Sequence, residues 1–233
     1  MPLFVLYGFS LLPWLVVPFG FYVLHELYLA ILGYAVGCCG LPVLYAHRYG
    51  ETQFKENSPL ALFPLGMPRR RLLGFSFLLF VVIVLSWFGL AHNWVRSDIN
   101  SQLESIHLSQ DWLESSGIGG MIPFYSLAIY FVTINPLVEE WFWRGLVYTL
   151  LKKSMSLRNA NLISSTLFGA WHWVILQHFI QAPYAILMTL GIIAGGTIFA
   201  MLYEETKTLG ASVILHSMGA DLAAMVMLWD LLR

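Results

Sequence analysis

The sequence predicts an all-α membrane protein, a polytopic helical bundle of about seven spans, with six to eight as the range. Three observations predict it. Of 233 residues, 58% are hydrophobic and 11% charged, against roughly 25% charged in an ordinary soluble domain. Mean hydropathy is +0.72. The apolar residues come in runs about as long as a bilayer is thick, which takes about 20 residues of helix. A soluble chain of this length would form one or two domains; the runs predict instead a single membrane domain over residues 1–233. The net charge of −1 gives no case for nucleic acid as a partner. The expected surroundings are the lipid bilayer.

Segment one runs from about Pro2 to Leu24. It is long and has no basic start, so it reads as a retained span and not as a cleaved signal peptide. Segment two covers about Leu27 to Ala46, with His25 and Glu26 in the turn before it. It holds both cysteines, Cys38 and Cys39, which are adjacent and form neither a zinc motif nor a disulfide framework. A polar stretch, His47 to Ser58, and a proline-rich passage, Pro59 to Pro68, follow. Arg69, Arg70 and Arg71 open segment three, about Leu72 to Ala91. Between His92 and Gly120, Ile99, Leu103, Ile106 and Leu113 recur at helical spacing. That spacing predicts a short amphipathic helix on the membrane surface, or else a solvated loop helix.

Segment four starts near Met121 and reaches Lys152, too long for a simple span. Pro136 is expected to kink it or to break it in two. Segments five, six and seven cover about Ala160–Phe179, Pro183–Tyr203 and Leu209–Leu232. With the N-terminus inside, Arg48, Lys55, Arg69, Arg70, Arg71, Lys152, Lys153, Arg158 and Lys207 fall inside, and only Arg96 and Arg233 outside. That bias follows the positive-inside rule. It points to a bacterial inner or plasma membrane, or to the endoplasmic reticulum in a eukaryote.

Ionisable groups inside spans are costly and seldom idle. They are Glu139, Glu140, Arg144, His172, His216 and Asp221. At 1.5 Å per residue, Glu140 lies roughly 18 Å from Lys152, His172 roughly 21 Å from Arg158, and His216 roughly 14 Å from Lys207. Three segments thus place acids and imidazoles near a common depth, which predicts one shared polar pocket. Glu140 and Arg144, four apart, share a helix face and can pair. Glu139 lies about 100° away, on a face with Asn135 and Trp143. Phe168 and His172 share a face, so ring and imidazole can pack together. Tryptophans 141, 143, 171 and 173 read as lipid-facing or interfacial anchors.

The chemistry follows from residue type. A carboxylate in a dry pocket is a stronger base than one in water, which suits it to take a proton from water. One histidine can orient that water, and a second can donate to the oxyanion formed on a carbonyl. The same three groups, Glu139, His172 and His216, could instead hold zinc, although their spacing is that of no local zinc motif.

Three matches then coincide: Glu-Glu-x-x-x-Arg at Glu139, Glu140 and Arg144, Phe-x-x-x-His at Phe168 and His172, and a late His216. In this order on successive spans they resemble the CPBP or Abi family of CAAX prenyl endopeptidases and bacteriocin-processing intramembrane proteases. The resemblance covers about residues 121–230, leaving 1–120 as N-terminal spans and a surface loop. It implies that Glu139 activates water, that His172 assists, and that His216 stabilises the oxyanion with an Asn or Asp four residues on. Here that position is Ala220, and the acid is Asp221, rotated about 140° from His216 on a regular helix. Either a local distortion turns Asp221 inward, or another group such as Asn135 takes the role, or the chain is a non-proteolytic member.

The expected activity is therefore an intramembrane endopeptidase acting on a membrane-anchored peptide or protein. The alternatives are a transporter relaying protons or ions through the same buried groups, and a scaffold binding a membrane partner. Transporters often carry inverted repeats and paired broken helices, and neither is evident in the sequence.

Overall fold

The computed structural model describes residues 8, 10–19, 27–48, 67–92 and 118–231, and these are helical apart from short turns and breaks such as 67–68, 152–156, 180–181 and 207–208, with no strand among them. We number seven helices: α1 (Pro13–Pro18), α2 (27–48), α3 (69–91), α4 (118–151), α5 (Leu157–Phe179), α6 (Ala182–Thr206) and α7 (209–231). The amphipathic stretch between His92 and Gly120, the proline-rich passage, the His25-Glu26 turn and most of segment one lie outside the described residues.

Among the described residues, three helices are long and apolar enough by themselves to cross a membrane: α3 over Arg69–Gly89, α6, and α7 over Leu209–Asp230. Helices α4 and α5 are also long, but they carry the glutamates, the arginine and His172. The large exposed side chains on α3 and α6, among them Phe75, Phe77, Leu78, Leu187 and Leu190, are what a bilayer would cover.

Helix α4 is continuous through Pro136. At 34 residues it is about 51 Å long, against a hydrocarbon core of about 30 Å. It passes the proline because it contains wide turns, in which the N–H reaches five residues back instead of four. These are Tyr130–Ile134 and Trp141–Tyr148; further wide turns lie at Gly33–Gly40 in α2, at Trp87–Ala91 in α3 and at His216–Asp221 in α7.

Wide turns and prolines leave backbone carbonyls without donors, and no water reaches them in hydrocarbon. Hydroxyl groups take their place. Pro136 has no N–H for the carbonyl four residues back, and Ser217 Oγ of α7 donates to that Val132 carbonyl. Thr149 Oγ1 donates to the Arg144 carbonyl at 2.9 Å, and Ser164 Oγ of α5 to the Trp143 carbonyl at 3.3 Å.

Helices α5 and α6 form the tightest pair. Gly169 lies so close to Ile193 that a Cβ would stand 2.2 Å from its side chain, and Gly196 faces Phe168 and Arg144. Small residues let backbones approach closely, the usual basis of helix packing in lipid. Helix α3 leans on α7 at Gly219, against Leu79. Trp143 and Trp171 are buried in the core, not lipid-facing as the sequence suggested. Trp143 Nε1 donates to the Tyr34 hydroxyl at 3.1 Å, which ties α4 to α2 and gives the indole its one polar partner indoors.

Candidate active site

Helix α4 supplies Asn135, Glu139, Glu140 and Arg144, and α7 supplies His216 and Asp221. All six are buried. Glu140 and Arg144 stand one turn apart, and Arg144 Nη1 donates to Glu140 Oε1 at 2.8 Å. Nη2 donates to the Gly196 carbonyl of α6 at 2.9 Å. The guanidinium lies 4.6 Å from the centre of the Phe168 ring and 5.2 Å from that of Phe199. Gly196 permits this approach, since a Cβ there would sit 3.1 Å from Nη2. Arg144 therefore fastens α4 to α5 and α6 at the depth of the glutamates.

His216 connects the acids. Its Nδ1 lies 2.9 Å from Glu140 Oε1. A carboxylate oxygen accepts, so Nδ1 is placed to donate. Nε2 points the other way, 3.5 Å from Glu139 Oε2 and 3.4 Å from Asp221 Oδ1. Both distances exceed the usual hydrogen-bond range, so Nε2 is held near two oxygens without being committed to either. Phe199 stacks on the imidazole at 4.8 Å, and Phe168 meets it edge-on at 5.9 Å. Ser212 Oγ donates to the Phe199 carbonyl at 3.0 Å and fixes α7 against α6 just below the ring.

Asp221 reaches this cluster because α7 is not a regular helix there. From His216 to Asp221 it is wound in wide turns, and the Leu222 N–H bonds back to Ser217 O, five residues earlier. A residue five along then takes the place that four along would have on an α-helix. The carboxylate comes beside His216 and accepts from Asn135 Nδ2 at 3.3 Å. Asn135 and Asp221, alternatives in the sequence, are partners in the fold.

His172 joins through rings. Its imidazole packs on Phe168 at 4.9 Å and on Trp171 at 3.9 Å. Phe168 thus touches both histidines. His172 Nδ1 lies 2.7 Å from the Phe168 carbonyl. A carbonyl can only accept, so Nδ1 carries the hydrogen and Nε2 keeps its lone pair.

Tyr34 of α2, not singled out from the sequence, lies beside Glu139. Its ring stacks on Trp171 at 4.1 Å, which joins the Glu139 and His172 sides of the site. One more tyrosine in an aromatic-rich chain gives no signal; only its neighbours do. Zinc needs ligand atoms converging at about 2.0–2.2 Å from one point. Glu139 and His216 approach each other, His172 does not join them, and among the described residues no three His, Cys, Asp or Glu side chains form such a cage.

Residues 121–220 match the family described as Rce1-like, type II CAAX prenyl endopeptidase. That stretch contains Glu139, Glu140, Arg144, Phe168, His172 and His216. At family level the chain is similar to Rce1-like intramembrane proteases. The match begins within α4 and ends at Ala220, one residue before Asp221. No curated protein and no solved structure matches the chain.

Proposed function

We propose that the protein is an intramembrane endopeptidase that hydrolyses a peptide bond in a lipidated or otherwise membrane-anchored protein or peptide, using water activated by Glu139. One observation carries the reading. His216 is anchored through Nδ1 to Glu140, and its Nε2 is left uncommitted beside Glu139. A base and a hydrogen-bond donor thus flank one small space. Such preorganised donors are where catalytic stabilisation of an oxyanion usually resides.

In this mechanism the Glu139 carboxylate takes a proton from water, and the resulting hydroxide adds to the scissile carbonyl carbon. His172 Nε2, with its lone pair free, accepts a hydrogen bond from the same water and orients it. The carbonyl oxygen becomes an oxyanion that receives a hydrogen bond from Nε2 of His216, held as an imidazolium with an N–H on each nitrogen by the surrounding Glu139, Glu140 and Asp221 carboxylates, and a second from the Asn135 amide N–H not given to Asp221. When the C–N bond breaks, the proton held by Glu139 passes to the leaving amine. Glu140 and Arg144 hold His216 in place and take no proton.

The test uses purified protein in lipid vesicles with a prenylated peptide carrying a free C-terminal tripeptide. Mass spectrometry of the released tripeptide is the readout. Wild type is expected to cleave, and Glu139→Gln is expected to lower the rate about 10²–10⁴-fold, the usual contribution of a general base, with the melting temperature kept. A folded Glu139→Gln protein that cleaves like wild type would sink the proposal.

A further inference from the structure

The hydroxyl of Tyr130 is buried and has no hydrogen-bond partner among the described residues. Leaving a buried donor unpaired costs about 1–3 kcal/mol, and native folds rarely carry such groups without a reason. Its ring packs edge-on against Phe131 at 5.4 Å, so the side chain is held in place. Its position on α4 is also specific. The Asn135 N–H bonds to the Tyr130 carbonyl across the wide turn Tyr130–Ile134. Asn135 therefore stands directly over Tyr130, and Glu139 stands one ordinary turn beyond Asn135. The three side chains share one face.

The Tyr130 hydroxyl lies near enough to Glu139, Asp221 and Cys39 to feel their charge. The two carboxylates are acceptors, yet neither comes within hydrogen-bond reach of it. A buried phenol O–H on the face of α4 that carries Asn135 and Glu139 thus has no acceptor among the described residues. We propose that Tyr130 is a further catalytic residue, whose hydroxyl donates a hydrogen bond to the scissile carbonyl oxygen of the substrate as it becomes an oxyanion. This rests on the peptidase reading above. It explains an orphaned donor by a group present only during turnover, and it adds a neutral donor to those of His216 and Asn135.

Tyr130→Phe keeps the ring and removes only the hydroxyl. With the prenylated peptide, kcat is expected to fall about 100-fold, in the range for loss of one oxyanion donor, with KM and melting temperature unchanged. A phosphonate analogue of the peptide, which carries tetrahedral oxygens, is expected to bind the variant more weakly by a similar factor. The uncleaved ground-state peptide is expected to bind equally. Tyr125→Phe, on the same helix and exposed, serves as the control with wild-type kinetics. If wild type cleaves and Tyr130→Phe matches it in kcat and phosphonate affinity, Tyr130 has no such role and the peptidase reading stands. A wild type that neither cleaves the peptide nor binds the phosphonate overturns both.

Discussion

Arg144 sits with 1% of its side chain exposed, beside Glu140 at 0%. Neither charge is tolerable alone at that depth. Together they still need the Gly196 carbonyl, His216 Nδ1 and two aromatic faces. Removing one partner of a buried pair leaves the other uncompensated, at about 3–5 kcal/mol. Arg144→Ala is therefore expected to destabilise the protein by that amount and to leave the Glu140 carboxylate held by His216 alone. Thermal unfolding in detergent, followed by tryptophan fluorescence, measures it; an unshifted transition would contradict the geometry. These residues were legible in the sequence because charges stand out in apolar helices. Tyr34, Tyr130 and Phe199 were not. Aromatic residues make up 15% of the chain, and only contact with Glu139, a missing partner or a stacked imidazole sets these three apart. The general habit of tryptophan puts Trp143 and Trp171 in the lipid or at its interface, and the Tyr34 hydroxyl and ring draw them inward instead.

Among the helices, the informative features are the wide turns. Their positions follow from no local propensity, since the same residues would form ordinary α-helix in isolation. A regular helix would put Asp221 on the far face from His216; the wide turn His216–Asp221 is the local distortion that brings it alongside. Pro136 was legible as an irregularity, but its outcome, a continuous helix, depends on a serine 81 positions later supplying the missing donor to Val132. That dependence is measurable. Ser217→Ala leaves the Val132 carbonyl unpaired and is expected to lower stability by about 1–3 kcal/mol. Pro136→Ala in the same background restores a backbone N–H four residues on and is expected to recover much of the loss. A double-mutant cycle by thermal unfolding reads the coupling. If the two substitutions simply add, Ser217 is not the proline's substitute donor.

Across the whole molecule, charge is arranged by end. Lys152, at the end of α4, and Lys207, after α6, are both bound by Glu204, and Tyr148 donates to the same carboxylate. Lys207 adopts a left-handed conformation, φ 56°, that closes α6 and sends the chain back into α7. Arg69, Arg70 and Arg71 join this end, because Leu72 packs in one cluster with Leu202 and Ala211. The opposite end is marked by Asp230, which accepts from Trp87 Nε1 at 3.0 Å and meets His92 at 2.6 Å. The basic end is thus a property of the fold as well as of the sequence, and the positive-inside rule assigns it to the cytoplasmic face. Cysteine labelling tests the assignment with little background, since Cys38 and Cys39 are buried. Ser154→Cys lies between α4 and α5 at the basic end, and Ala182→Cys lies at the other end, both at exposed positions. In intact cells, a membrane-impermeant maleimide is expected to label Ala182→Cys and to reach Ser154→Cys only after permeabilisation. The reverse pattern would place the basic end outside and invert the molecule in the membrane.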